Sequence, residues 1–166
     1  KVSLEDILHN SMLIVNDVMS KCRPLEFFSD YLKQGYYPFG AEGFALYHQR
    51  VENVVDMLLN IELPHLRNVD IGNIRKIKAL LAIISTEVPM LVDISKLATL
   101  TGIARTTILA YLQYLHEAKL IRLLYSDDLS VKKMQKPDKI LMENTNLLQA
   151  LSLQVPNVGT MRETFF

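Results

Sequence analysis

At 166 residues, with 49% of them apolar, the chain is long enough for one domain or two small ones and too hydrophobic to be disordered. Its 18 basic residues balance its 18 acidic ones, which argues against a general polyanion binder but leaves room for uneven placement of charge. The single Cys22 excludes an internal disulfide framework and suits a reducing, cytoplasmic compartment; no apolar run reaches the about 20 residues that span a bilayer and no signal peptide is present, so no membrane partner is expected.

The first element is a helix over Ser3 to Cys22. Leu4, Ile7, Leu8, Met12, Val15, Val18 and Met19 share one face, and Ser3 with Asp6 forms a capping pair in which Asp replaces the more usual Glu. Pro24 suits the first turn of a second helix, LEFFSDYLKQ, which ends at Gly35. Tyr36-Tyr37-Pro38-Phe39-Gly40 is a loop with exposed-looking aromatics. A long helix is predicted from about Gly43 to Leu63, with Phe44, Tyr47, Val51, Val54, Val55, Leu58 and Leu59 as its face and Pro64 as its end. Asp70 caps a further helix, Ile71 to Ser85, whose Ile74, Ile77, Lys78, Leu81 and Ile84 rows are mostly apolar, with Arg75, Lys76 and Lys78 on its more polar side. Pro89 then breaks the chain.

Asp93 to Tyr125 has the pattern of a helix-turn-helix leading into a wing. Asp93 caps a short helix with Ile94, Leu97, Ala98 and Leu100 at helical spacing, and Gly102 supplies a turn residue that tolerates positive φ. A second helix starts near Ala104 and carries Ile108, Tyr111, Leu112 and Leu115 at i, i+3, i+4, i+7. Leu120 to Leu124 begins a strand. Ser126-Asp127-Asp128 is a turn, Val131 to Gln135 is basic and extended, and Lys139 to Met142 completes a hairpin. Lys119 occupies the helix end where the left-handed conformation favours glycine, at a cost of about 1 kcal/mol if that conformation is kept. Asn144 caps a short helix, Thr145 to Leu153, with Leu147, Leu148 and Leu151 inward. Val155 to Phe166 is too short to pack alone.

The expected fold is therefore mainly α: a helical, lid-like half over residues 1–86, then a winged helix-turn-helix with a small β wing over 87–153, then a tail over 154–166. Up to Met90 there are nine basic against eleven acidic residues; from Leu91 to Lys139 there are eight against five. The modest positive excess sits on the half that can meet a phosphate backbone.

Several familiar chemistries are missing. There is no G-x-x-x-x-G-K-[ST] loop and no G-x-G-x-x-G. His9, His48, His65 and His116 are scattered without ligand spacing, so no metal site is expected, and His116 is expected on a solvent-facing helix back. Asp127 and Asp128 are a turn pair. The chain by itself is not expected to be an enzyme.

Four segments together carry a family resemblance: PLEFFSDYLKQGYYPF at Pro24 to Phe39, DISKLATLTGIARTTILAYLQYLHEAKLI from Asp93, QKPDKILMENTNLLQAL at Gln135 to Leu151, and NVGTMRETFF at Asn157 to Phe166. They resemble the region downstream of the nucleotide-binding core in a family of prokaryotic AAA+ ATPases, many of them known only as ATP-binding proteins. The resemblance covers nearly the whole chain, and its G-Y-Y-P and R-E-T-F-F segments are the specific ones. It implies that this chain is a piece spanning helical lid and winged helix, with a core that binds ATP and Mg lying before Lys1 and a last domain opening at Met161 to Phe166. It further implies that Gly35, Tyr37 and Pro38 form the lid loop facing the nucleotide in the intact protein. A helix-ending turn whose aromatics pack on neighbouring helices is the alternative for that loop.

In the usual winged-helix geometry the second helix would present Arg105, Thr106, Leu109, Ala110 and Gln113 to DNA, with Lys132, Lys133 and Lys136 of the wing along phosphates. Arg105, Thr106, Gln113 and those lysines are the candidate DNA-binding residues. Leu109 and Ala110 read bases poorly. The alternative is a docking module whose outward Leu109, Ala110 and Tyr114 meet another protein, the ATPase core or the last domain. The three lysines could also belong to a solvated hairpin.

Overall fold

A computed structural model describes residues 2–67, 69–87, 90–125 and 136–166. The chain is mainly helical with a small antiparallel sheet. Helix α1 (Leu4–Lys21) starts at a reciprocal Ser3–Asp6 capping box. Those hydrogen bonds from Ser3, side chain first and backbone second, hold the Asp6 carboxyl below its usual range. The apolar stripe of α1 does not reach a core: none of its residues is buried, and Leu4, Leu8 and Met12 are each more than two-thirds exposed. Helix α2 (Pro24–Gln34) begins on its proline and likewise contains no buried residue, although it packs along α8 (Thr145–Leu151).

The next helix departs from expectation at both ends. Gly43 sits at φ 124, outside helical geometry, and the helix begins at Tyr47, leaving Phe44 before it and exposed. Pro64 does not end it. Helix α3 (Tyr47–Met57) passes through one π-helical turn, Leu58–Glu62, into α4 (Leu63–Arg67). A proline ring at 64 clashes with the carbonyl of residue 60 in a regular α-helix. The wider turn, in which the Leu63 N–H reaches the Leu58 carbonyl, relieves that conflict. Tyr47, Val51, Val55, Leu59 and Leu63 form its buried row, while Val54 faces out.

Helix α5 (Ile71–Thr86) is capped by Asp70, whose side chain accepts from the Gly72 N–H at 2.6 Å. Its Ile74, Ile77, Leu80, Leu81 and Ile84 are buried. After it come β1 (Met90–Leu91), α6 (Ile94–Thr101), α7 (Arg105–Glu117), β2 (Ile121–Leu124) and β3 (Lys139–Met142). Asp93 caps α6 by accepting from Ser95 and Lys96 N–H, and Gly102 adopts the left-handed conformation at its end. Ile108, Tyr111, Leu112 and Leu115 of α7 are all buried. Leu100, expected inward, is more than half exposed.

The sheet has the order β1-β3-β2, all antiparallel, with Met90 and Leu123 both opposite Ile140. Ile140, Leu141 and Met142 are buried on both sheet faces, because β3 packs against α5 and also against α9 (Val158–Phe165). The tail, too short to pack alone, forms this last helix against the rest of the chain. Asn157 caps it, it rests on α8 and β3, and Phe165 meets Phe28 edge-on at 5.1 Å. One hydrophobic cluster runs from Tyr47 to Leu148, through the helical half and the winged helix together.

Candidate functional site

Two places hold the residues singled out above. The first is the exposed end of α7. Arg105 and Thr106 occupy its first turn and are exposed, as is Gln113 two turns on, while the opposite side of the helix is closed into the core. The Gln113 amide donates to Glu117 at 3.0 Å, and Glu117 also pairs with Arg67. Asp93 lies beside this surface. The Lys96 N–H is the main reason its carboxyl stays below the usual range; the Ser95 N–H and the charges of Lys136 and Arg105 act in the same direction. Lys136 and Arg105, 31 positions apart in the sequence, therefore act on one carboxylate. Lys136 is exposed. Lys132 and Lys133, with the rest of the predicted Val131–Gln135 segment, lie outside the described residues.

Leu109 and Tyr114 are not free apolar outposts. Both are partly buried against the core, and the Arg67 guanidinium lies 5.3 Å from the centre of the Tyr114 ring. Arg67 thus links α4 to the end of α7 twice, through Tyr114 and through Glu117. His116 also differs from expectation: it is half-buried, and its Nδ1 lies 3.1 Å from the Ile121 carbonyl oxygen.

The second place is the Gly35-Tyr36-Tyr37-Pro38 loop, where Pro38 opens a 3-10 turn, Pro38–Glu42. Gly35, Tyr36 and Pro38 are exposed; Tyr37 and Phe39 are not, and their rings stack 5.5 Å apart at 9°. Beneath them a buried polar network joins the loop to the start of α8. The Tyr47 hydroxyl donates to Asn146 Oδ1, which also accepts from the Tyr36 N–H at 2.9 Å. The Tyr37 N–H donates to the Tyr47 hydroxyl at 3.0 Å. Asn146 Nδ2 donates to the carbonyls of Tyr31 and Leu32, at 3.1 and 3.0 Å. Asn144, whose side chain also caps α8, donates from Nδ2 to the Tyr37 hydroxyl at 3.0 Å. Burial pushes the Tyr37 and Tyr47 phenols up, each partly offset by these hydrogen bonds.

Asn146 is fully buried and every polar atom of its amide is engaged. Nothing in its local sequence marks it, since the partners lie about a hundred positions away: 99 for Tyr47, 110 for Tyr36. The aromatic loop therefore has a structural role of its own within this chain: it clasps the helical half to the winged helix.

Residues 25–157 match the family described as Domain of unknown function (DUF8612), and the chain belongs to that family. No curated protein and no solved structure matches it. Among the described residues no helix is long and apolar enough to cross a membrane, and no group of three or more His, Cys, Asp or Glu is placed to hold a metal ion.

Proposed function

We propose that this chain is the lid and winged-helix portion of a prokaryotic AAA+ ATPase, acting in the cytoplasm, and that the winged helix contacts DNA mainly through phosphates. The observation that carries the DNA contact is the exposure of Arg105 and Thr106 in the first turn of α7, together with exposed Lys136 two positions before Asp138, whose carbonyl accepts from the Val92 N–H next to Asp93. A helix N-terminus with an arginine and a nearby lysine suits phosphate oxygens, and the exposed set offers little for reading bases. Gln113 adds a hydrogen-bonding amide, and Lys132 and Lys133, outside the described residues, add two positive charges in the sequence between β2 and β3.

The docking alternative relies on Leu109, Ala110 and Tyr114, all three partly buried, with Leu109 and Tyr114 packed against the core. The ATPase assignment rests on the G-Y-Y-P, helix-turn-helix and R-E-T-F-F segments. In the intact protein, ATP with Mg would be held by a core outside this chain, and exposed Gly35 and Pro38 would face it. Tyr37, tied through its hydroxyl to Asn144, would contribute its ring rather than its phenol.

Fluorescence-anisotropy titration of the chain with short duplex and single-stranded DNA tests the contact, at low and at physiological salt. Saturable binding is expected, with a log–log salt slope that falls by about 1 for each of Arg105→Ala and Lys136→Ala. A Lys132/Lys133 double alanine is expected to lower it further. Absence of binding at low salt, or a slope unmoved by all of these changes, would contradict the proposal.

A further inference from the structure

A cavity of about 180 Å³ opens between the middle of α3 and the C-terminal end of α7. Its floor is core: Val51, Val55, Leu120 and Leu147 are buried. One wall is the stacked Tyr37–Phe39 pair, and the Tyr37 hydroxyl is already occupied by Asn144. An apolar hollow of roughly this size, about 150 Å³ or a little more, accommodates one benzene-sized ring.

The rim carries a single charge, Lys119, which is exposed and makes no ion pair among the described residues. Its backbone is at φ 57, the only non-glycine residue in the left-handed region among those described. The end of α7 holds it there: the Leu120 N–H reaches the Leu115 carbonyl and the Lys119 N–H the His116 carbonyl, both at 3.0 Å. Glycine is the relaxed choice at such a position, and among the described residues no hydrogen bond or ion pair of the Lys119 side chain offsets the penalty. The adjoining hollow, which shares Leu58 and Ala118, has Glu62, Glu117 and Arg67 in its lining, with Arg67 already paired to Glu117 and Glu62 left as its net charge. An anion is therefore directed to the Lys119 side.

We infer that this cavity binds a small aromatic carboxylate, with the ring in the hollow beside Tyr37 and Phe39 and the carboxylate on the Lys119 ammonium. The ring regains dispersion contacts that an unfilled hollow forgoes, and the charge fixes which end points out. The inference stands apart from DNA binding, since Arg105, Thr106 and Gln113 do not line the cavity.

The test is methyl-detected NMR titration of the whole chain with 3-phenylpropionate, 3-phenylpropan-1-ol and 2-phenylethylammonium up to millimolar concentration. The carboxylate is expected to bind about fivefold tighter than the alcohol, the ammonium most weakly, with shifts at the Val51, Val55 and Leu147 methyls. Val54→Trp, at the half-exposed rim, is expected to block all three probes. Lys119→Gly is expected to raise the melting temperature and to abolish the preference for the carboxylate. Equal affinity for acid and alcohol, a preference that survives Lys119→Gly, or no shift at those methyls would each overturn the inference.

Discussion

Helices α1 and α7 carry apolar residues at the same spacing, yet α7 buries Ile108, Tyr111, Leu112 and Leu115 while α1 buries nothing. Regular spacing shows that a helix has an apolar face. Whether the face is covered depends on what the rest of the chain brings to it. For α7 the partners are α6 and β2, close in sequence and joined by short connections. For α1 the stabilising features within the described fold are local: the Ser3–Asp6 box and the exposed Lys21–Asp17 pair at its other end. The helix is also kinked at Asn10, whose φ −124 and ψ 28 are not helical, and two short helical pieces held mainly by such local terms are marginal in water.

Side-chain truncation separates the two helices most strongly. Leu112→Ala is expected to cost about 2–5 kcal/mol in urea unfolding, whereas Leu8→Ala is expected to stay within about 0.5 kcal/mol. Similar losses at both positions would show that α1 is packed after all. A second contrast lies between the two kinds of glue, apolar and polar. Asn146→Ala takes the acceptor from the Tyr47 hydroxyl and the Tyr36 N–H and a donor from the Tyr31 and Leu32 carbonyls, of which Tyr31 keeps the Gly35 N–H, and is expected to cost about 1–3 kcal/mol. It should also speed hydrogen exchange at the Tyr36 and Tyr37 amides more than at those of α7. Unchanged exchange at the loop would mean that the clasp does not hold the two halves together.

The smallest effect concerns acid. Asp93 has a folded pKa below its usual value, chiefly through the Lys96 N–H. Its contribution to stability is therefore complete above the unfolded value of about 3.9 and is lost as pH falls through the lower folded value. Asp93→Asn keeps a side-chain acceptor for the cap and removes the titration. Thermal melts of the variant between about pH 5 and pH 2 are expected to show a shallower loss of stability than wild type. A variant curve parallel to wild type would exclude Asp93 as a source of that dependence.

The winged helix is legible in the sequence because its determinants are local. Asp93, Gly102 and the α7 stripe each act within a turn or two of where they stand, and Lys119 at positive φ follows from the way α7 ends. Features set by distant partners are not legible in this way. Pro64 reads as a stop unless a π turn is foreseen, and nothing local announces one. Where the tail docks is not legible because Phe28 and Tyr31, against which Phe165 rests, lie at the other end of the chain. The same holds at the candidate sites. Arg105, Thr106 and Gln113 follow from helix phase alone, but the exposure of Lys136 does not, nor does the Asn146 network under the aromatic loop.

The central claim is that the open end of α7 meets a phosphate backbone. The most direct measurement is amide chemical-shift mapping of the labelled chain during titration with a short DNA duplex. Shifts are expected to concentrate at Asp93 to Lys96, Arg105 to Gln113 and Lys136, and to fade as salt is raised. Shifts confined to α1 and α2, or none in any of these segments, would contradict it.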